Sequence, residues 1–155
     1  MHVDIDHQPA RRLAAVRHVG PYNQIGRAFA QLGQHLGPSM GALAMQGAAM
    51  IALYHDDPES VAPDELRSDA GVVVPDDFAL PPGVTEQRLP AGRYASTVHV
   101  GPYDHLGDAW QRFMGEWLPA SGERVAASPA METYLNNPET TPKAEWRTRL
   151  SIPLA

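Results

Sequence analysis

His18-Val19-Gly20-Pro21-Tyr22 returns as His99-Val100-Gly101-Pro102-Tyr103, 81 residues later. Five identical residues in a row within 155 mark an internal duplication. The flanks agree. Ile25, Ala28, Phe29, Leu32 and Leu36 follow the first copy, and Leu106, Ala109, Trp110, Phe113 and Trp117 follow the second. Both sets have the spacing of one apolar helical stripe. Each copy therefore reads as strand, Gly-Pro turn, helix.

The second half of each unit repeats too. Tyr54-His55-Asp56-Asp57-Pro58-Glu59 matches Tyr134-Leu135-Asn136-Asn137-Pro138-Glu139 at an offset of 80. Leu66-Arg67-Ser68-Asp69-Ala70-Gly71-Val72 matches Trp146-Arg147-Thr148-Arg149-Leu150-Ser151-Ile152 at the same offset. Asp-Asp-Pro and Asn-Asn-Pro form turns through side-chain capping and the fixed proline φ. Apolar segments flank them, so each half ends in a hairpin with a loop of roughly ten residues, longer than most. The unit is strand-helix-strand-strand, twice. The fold class is α+β: two pseudo-symmetric modules, one curved antiparallel sheet, two main helices on one face.

Composition narrows the function. A chain of 155 residues fits one domain, here module one at about 1–80 and module two at about 84–155. The net charge of −6 argues against direct nucleic-acid binding, which needs a basic surface to displace counterions. No apolar run reaches membrane-spanning length, and the polar Met1-His2-Val3-Asp4-Ile5-Asp6 start is not a signal peptide. The absence of cysteine excludes disulfides and thiolate chemistry. A cytoplasmic location is expected, with no cofactor.

Along the chain, strands are predicted at 11–18, Met50 to Tyr54, Arg67 to Val74, Gly92 to Val100, Met131 to Leu135 and Arg147 to Leu154, with a further one at 84–90. Helices are predicted at 22–36, ended by Gly37-Pro38, and at 103–118, ended by Pro119. Residues 39–49 read as a connection.

The two HVGPY copies, the Tyr-His-Asp-Asp-Pro-Glu and Leu-Arg-Ser-Asp-Ala-Gly-Val runs, and the late Glu-Thr-Tyr-Leu-Asn-Asn-Pro resemble the gyrase-inhibitor-like (GyrI-like) small-molecule-binding family over nearly the whole chain. That family includes stand-alone gyrase inhibitory proteins and the effector-binding domains of AraC-type and MerR-type multidrug regulators. The resemblance implies two such modules with a ligand cleft between them, often for bulky aromatic cations. It implies a pocket glutamate two residues before the tyrosine of the last hairpin, here Glu132 before Tyr134. Where the family's last strand reads Thr-Glu-Ile, this chain has Thr148-Arg149-Leu150, so a second pocket carboxylate is replaced by a cation. No DNA-binding helices precede the domain, which therefore reads as stand-alone.

Strand alternation sorts the candidates. Thr148, Leu150 and Ile152 should meet the helices, with Thr133 and Leu135. Arg147, Arg149, Glu132 and Tyr134 should face the cleft, with Tyr54, Arg67 and Asp69 at matched positions of module one. Trp146 could rim the cleft. A ligand stacked on Tyr54 or Tyr134 would meet the Glu132 carboxylate, and Arg149 beside it would favour neutral or anionic aromatics over dications. The plainer alternative is a Glu132–Arg149 cross-strand ion pair, worth ~0.2–1 kcal/mol if exposed. Trp110, Phe113 and Trp117 read as core, His18 and His99 as turn-bonding residues, and Tyr22 and Tyr103 as strand–helix packing. There is no metal-binding motif.

Three functions follow. The first is binding of a small molecule, to sequester or sense it. The second is inhibition of DNA gyrase by protein contact. The third is hydrolysis of a strained electrophile, with Glu132 as general acid or base beside Tyr134. The residues favour a binding protein over an enzyme.

Overall fold

The duplicated stretch folds the same way twice. In the computed structural model, which describes residues 1–155, Gly20 has φ 135° and Gly101 has φ 130°, a region essentially closed to side chains with a Cβ. The prolines that follow have φ of −53° and −58°, as the ring requires. His18 Nε2–H donates to the Pro21 carbonyl at 3.0 Å, and His99 Nε2–H to that of Pro102 at 3.3 Å. The glycine N–H groups reach across to Leu66 and Trp146 carbonyls at 2.8 and 2.7 Å. Both histidines therefore bond the turn, as their position implied.

In chain order the elements are β1 (Asp4–Gln8), β2 (Arg11–Val19), α1 (Gly26–Leu36), α2 (Pro38–Met45), β3 (Met50–Tyr54), β4 (Arg67–Val74), β5 (Thr85–Leu89), β6 (Gly92–Val100) and α3 (Leu106–Arg112). A π-helical turn (Phe113–Trp117), α4 (Leu118–Ser121), β7 (Ala130–Tyr134) and β8 (Arg147–Pro153) complete the chain. The α+β class with antiparallel strands is what the duplication implied.

The chain forms two compact units, Pro9–Ala91 and Met1–Gln8 with Gly92–Ala155. In the first, β4 lies between β3 and β2, and β5 pairs with the other side of β2. Helix α1 buries Ala28, Leu32 and Leu36. In the second, β8 lies between β7 and β6, and β1 pairs with the far side of β6. Leu106, Ala109 and Phe113 pack on Ala95, Leu150, Ile152 and Leu154 as its core.

The units differ from the sequence modules at about 1–80 and 84–155. Strand β1, at the head of the first repeat, pairs with β6. Strand β5, at the head of the second, pairs with β2. Pro9 and Pro90, with no N–H for a ladder, separate these strands from the ones that follow.

Two local expectations are corrected. Residues 38–45 are helix, not connection: Gly37 at φ 54° ends α1, and Pro38 opens α2 at the first-turn position where its missing N–H costs nothing. Pro119 does not end the second helix, which continues to Ser121 and stops at left-handed Gly122. The π-helical turn ends at Trp117, two residues before Pro119, and the Leu118 N–H closes it onto the Phe113 carbonyl. No helix is long and apolar enough to cross a membrane.

Candidate functional site

Glu132 is the buried carboxylate of the second unit, 4% exposed on β7. Residues directly opposite in an antiparallel pair share a face. Glu132 lies opposite Leu150 and Tyr134 opposite Thr148, so both side chains are on the face that packs under α3. Trp110 of α3 confirms it: its indole N–H donates to Glu132 Oε2 at 2.7 Å. Tyr134 O–H donates to Oε1 at 2.9 Å.

Aromatic rings continue the site. Tyr103 lies 5.5 Å from Tyr134 and 4.3 Å from Trp146, between ring centroids. The Trp146 indole N–H is tied to the Thr141 carbonyl at 2.8 Å, and Lys143 lies 5.9 Å above its ring. Burial raises the Tyr103 hydroxyl pKa, and the Glu132 charge pushes it the same way. A carboxylate that accepts from an indole N–H and a phenol O–H, in an aromatic surround, can exchange either donor for a ligand's N–H, O–H or cationic group.

The expected face for Glu132 and Tyr134 is thus corrected. It was Thr133, not Glu132, that came to lie opposite Arg149. The polar side chains of β7 do not gather on one face with those of β8; Glu132 instead supplies the acceptor for the half-buried Trp110 indole N–H. The cross-strand Glu132–Arg149 ion pair is not formed, and Arg149 does not offset the carboxylate.

The remaining candidates divide. Arg147 and Arg149 are exposed on the opposite face of the same sheet. In the first unit, Tyr54 lies against Tyr22, ring centroids 4.6 Å apart. Arg67 is committed to Asp56 at 2.8 Å. Asp69, 1% exposed, accepts from Arg17 Nε–H at 2.8 Å and from His55 Nε2–H at 2.5 Å. Burial alone would raise the Asp69 pKa, but the His55 and Arg17 bonds outweigh it and the value falls. Asp69 is therefore part of an ion cluster on the face opposite Tyr54, since it pairs with Leu53.

Trp110 and Tyr103, which their sequence positions assign to packing, stand beside Glu132 and Tyr134 in the structure. The repeat alignment held a signal for Trp110. At its matched position stands Phe29, and at that of Glu132 stands Ala52. Donor and acceptor are present together in one unit and absent together in the other.

The model of the GyrI-like small molecule binding domain matches residues 1–155. A DNA gyrase inhibitor from Erwinia billingiae is 33% identical over 166 residues, spanning 100% of this chain and 98% of its own. One from Serratia proteamaculans is 37% identical over 151 residues, 90% of each chain. The crystal structure of the EcmrR C-terminal domain superposes with a TM-score of 0.75 at 21% identity, covering 99% of this chain and 97% of the other. That likeness is one of fold.

Proposed function

Because the chain belongs to the GyrI-like small-molecule-binding family, we propose that it binds a small aromatic or amphipathic molecule at Glu132, and so sequesters or senses a drug, toxin or metabolite. The observation that carries this reading is the buried carboxylate held by Trp110 and Tyr134 within an aromatic surround. The ligand takes the place of the Trp110 indole as donor to Oε2. Its aromatic body packs on Tyr134, Tyr103 and Trp146. With Arg149 on the other face, a cationic or N–H-bearing aromatic is the matching class.

Thermal melting against cationic, neutral and anionic aromatic compounds tests this. A ligand at 100 times its dissociation constant adds about 2.7 kcal/mol. The expected result is a rise in melting temperature with the cationic or N–H-bearing compounds, abolished in Glu132→Gln. Equal shifts in wild type and variant, or none with any compound, would refute the reading.

The names of the two relatives favour a second reading, contact with DNA gyrase. An acidic protein of net charge −6 suits a basic partner surface. A supercoiling assay with added protein should show dose-dependent inhibition; full supercoiling at large protein excess would remove this option.

A further inference from the structure

The second unit holds a cavity of about 410 Å³ that excludes Glu132, within the ~300–1,000 Å³ range of small-molecule sites. It opens at the edge of β6 beyond its pairing with β1, which begins with Asp4 opposite Ser96. Val98 and Val100 of β6, Arg147 and Arg149 of β8, and Arg112 and Ala109 of α3 contribute to its walls. Val98 lies opposite Arg149 and Val100 opposite Arg147. These four side chains therefore share one face, the one that does not carry Glu132. Val98 is 38% exposed and Val100 59%.

The matched positions in the first unit show what is unusual. There Asp56 pairs with Arg67 and Asp69 with Arg17. In the second unit Arg147 stands at the place of Arg67, but Asn136 replaces Asp56. Arg149 replaces Asp69, Val98 replaces Arg17, and Arg112 replaces Gln31. Both acids and one arginine have gone, one arginine has stayed and two have been gained. Arg112, Arg147 and Arg149 form no ion pair, as Arg27 and Arg124 also do not, whereas Arg12, Arg17, Arg67, Arg88 and Arg93 all do. One acid, Asp4, also lines the cavity, and it is bonded to His2 at 2.9 Å. Three unpaired guanidinium groups around one cavity, in a chain of net charge −6, are not the by-product of a basic composition.

We propose that this cavity binds a small organic anion, its carboxylate, phosphate or sulfate held by Arg147 and Arg149 on one face of the sheet, with Arg112 reaching the cavity from α3 on the other side of the β6 edge, and its apolar body laid on Val98 and Val100. Guanidinium groups suit such ligands because they donate two parallel N–H bonds to paired oxygens. The site is separate from Glu132 and stands whether or not Glu132 binds a ligand.

Amide-resolved NMR titration with phenyl phosphate and benzoate tests this, with phenol as the neutral counterpart. Both anions should shift Thr97 to Val100 and Arg147 to Arg149 saturably, leave the Trp110 indole N–H unmoved, and outcompete phenol. The Arg147→Gln/Arg149→Gln double variant should weaken binding at least roughly tenfold, as loss of charge-assisted bonds implies, and Arg112→Gln should weaken it independently. Arg27→Gln, on the first unit, removes one charge as Arg112→Gln does and should leave it unchanged. Binding as tight in the double variant and in Arg112→Gln as in wild type, or phenol binding as well as the anions, would overturn the proposal.

Discussion

At Gly101 the backbone has φ 130°, and a Cβ there would meet nothing closer than His99 Nε2 at 3.7 Å. Space is not the obstacle; the dihedral is. Gly101→Ala should therefore cost about 1–3 kcal/mol in urea unfolding, the cost of a conformation reserved for glycine. Gly107→Ala is the control: Gly107 lies in α3 with open space around it, and the change should be neutral or stabilising by up to about 1 kcal/mol. Duplication of the turn made this demand legible in the sequence, because two copies kept Gly-Pro behind a histidine that bonds the proline carbonyl. The partner of Glu132 was less legible. The helical stripe put Trp110 on the apolar side and made it look like core, but a stripe says nothing about the one N–H on that ring. Only Phe29 and Ala52 at the matched positions marked Trp110 and Glu132 as a pair.

At the scale of elements, the hairpins show where sequence reading stops. The apolar alternation of β8 was correct: Thr148, Leu150 and Ile152 are buried, and Arg147 and Arg149 are exposed. The phase of β7 against it was not. A shift of one residue in register exchanges the faces, and the twelve residues between the strands, 135–146, leave that register open. It is fixed by the 3₁₀ turn Lys143–Glu145 and by Asn136, whose side chain accepts from the Arg147 N–H at 3.1 Å and donates to the Glu145 carbonyl at 2.9 Å. The matched Asp56 accepts from the Arg67 N–H at 2.7 Å. The helix after the second HVGPY copy gave the opposite kind of error. A proline there predicts a stop, but the π-helical turn Phe113–Trp117 leads into α4, which carries the chain past Pro119 to Ser121.

At the scale of the molecule, the two units carry their charge differently, and acid should separate them. Asp56 is lowered to about 2, chiefly by the Arg67 side-chain bond. Asp69 is lowered by His55 and Arg17 against the effect of burial, and Glu86 chiefly by Arg12. All three lie within Pro9–Ala91. A carboxyl group with a depressed folded pKa stabilises the fold above its unfolded value, roughly 4, and that contribution is lost as pH falls through the folded value. In the second unit, Asn136 and Arg149 stand in place of Asp56 and Asp69. Residue-resolved hydrogen exchange from pH 5 to pH 2.5 should show protection fading first in β2, β3 and β4; earlier loss in β6 and β8 would contradict this. The pairing of β1 with β6 bears on a different matter, the timing of assembly on the ribosome. The first unit is a continuous stretch of chain, and all its strands exist once Ala91 has been made. The second must wait: its opening strand is the first to be synthesised but has no partner until Val100 has emerged. Entropy exacts little for that long wait, since doubling a closed span costs only about 0.6 kcal/mol. Until β6 arrives, however, the nascent chain carries Asp4–Gln8 as an unpaired strand, and its sequence, Asp-Ile-Asp-His-Gln, has the charges that discourage it from pairing elsewhere.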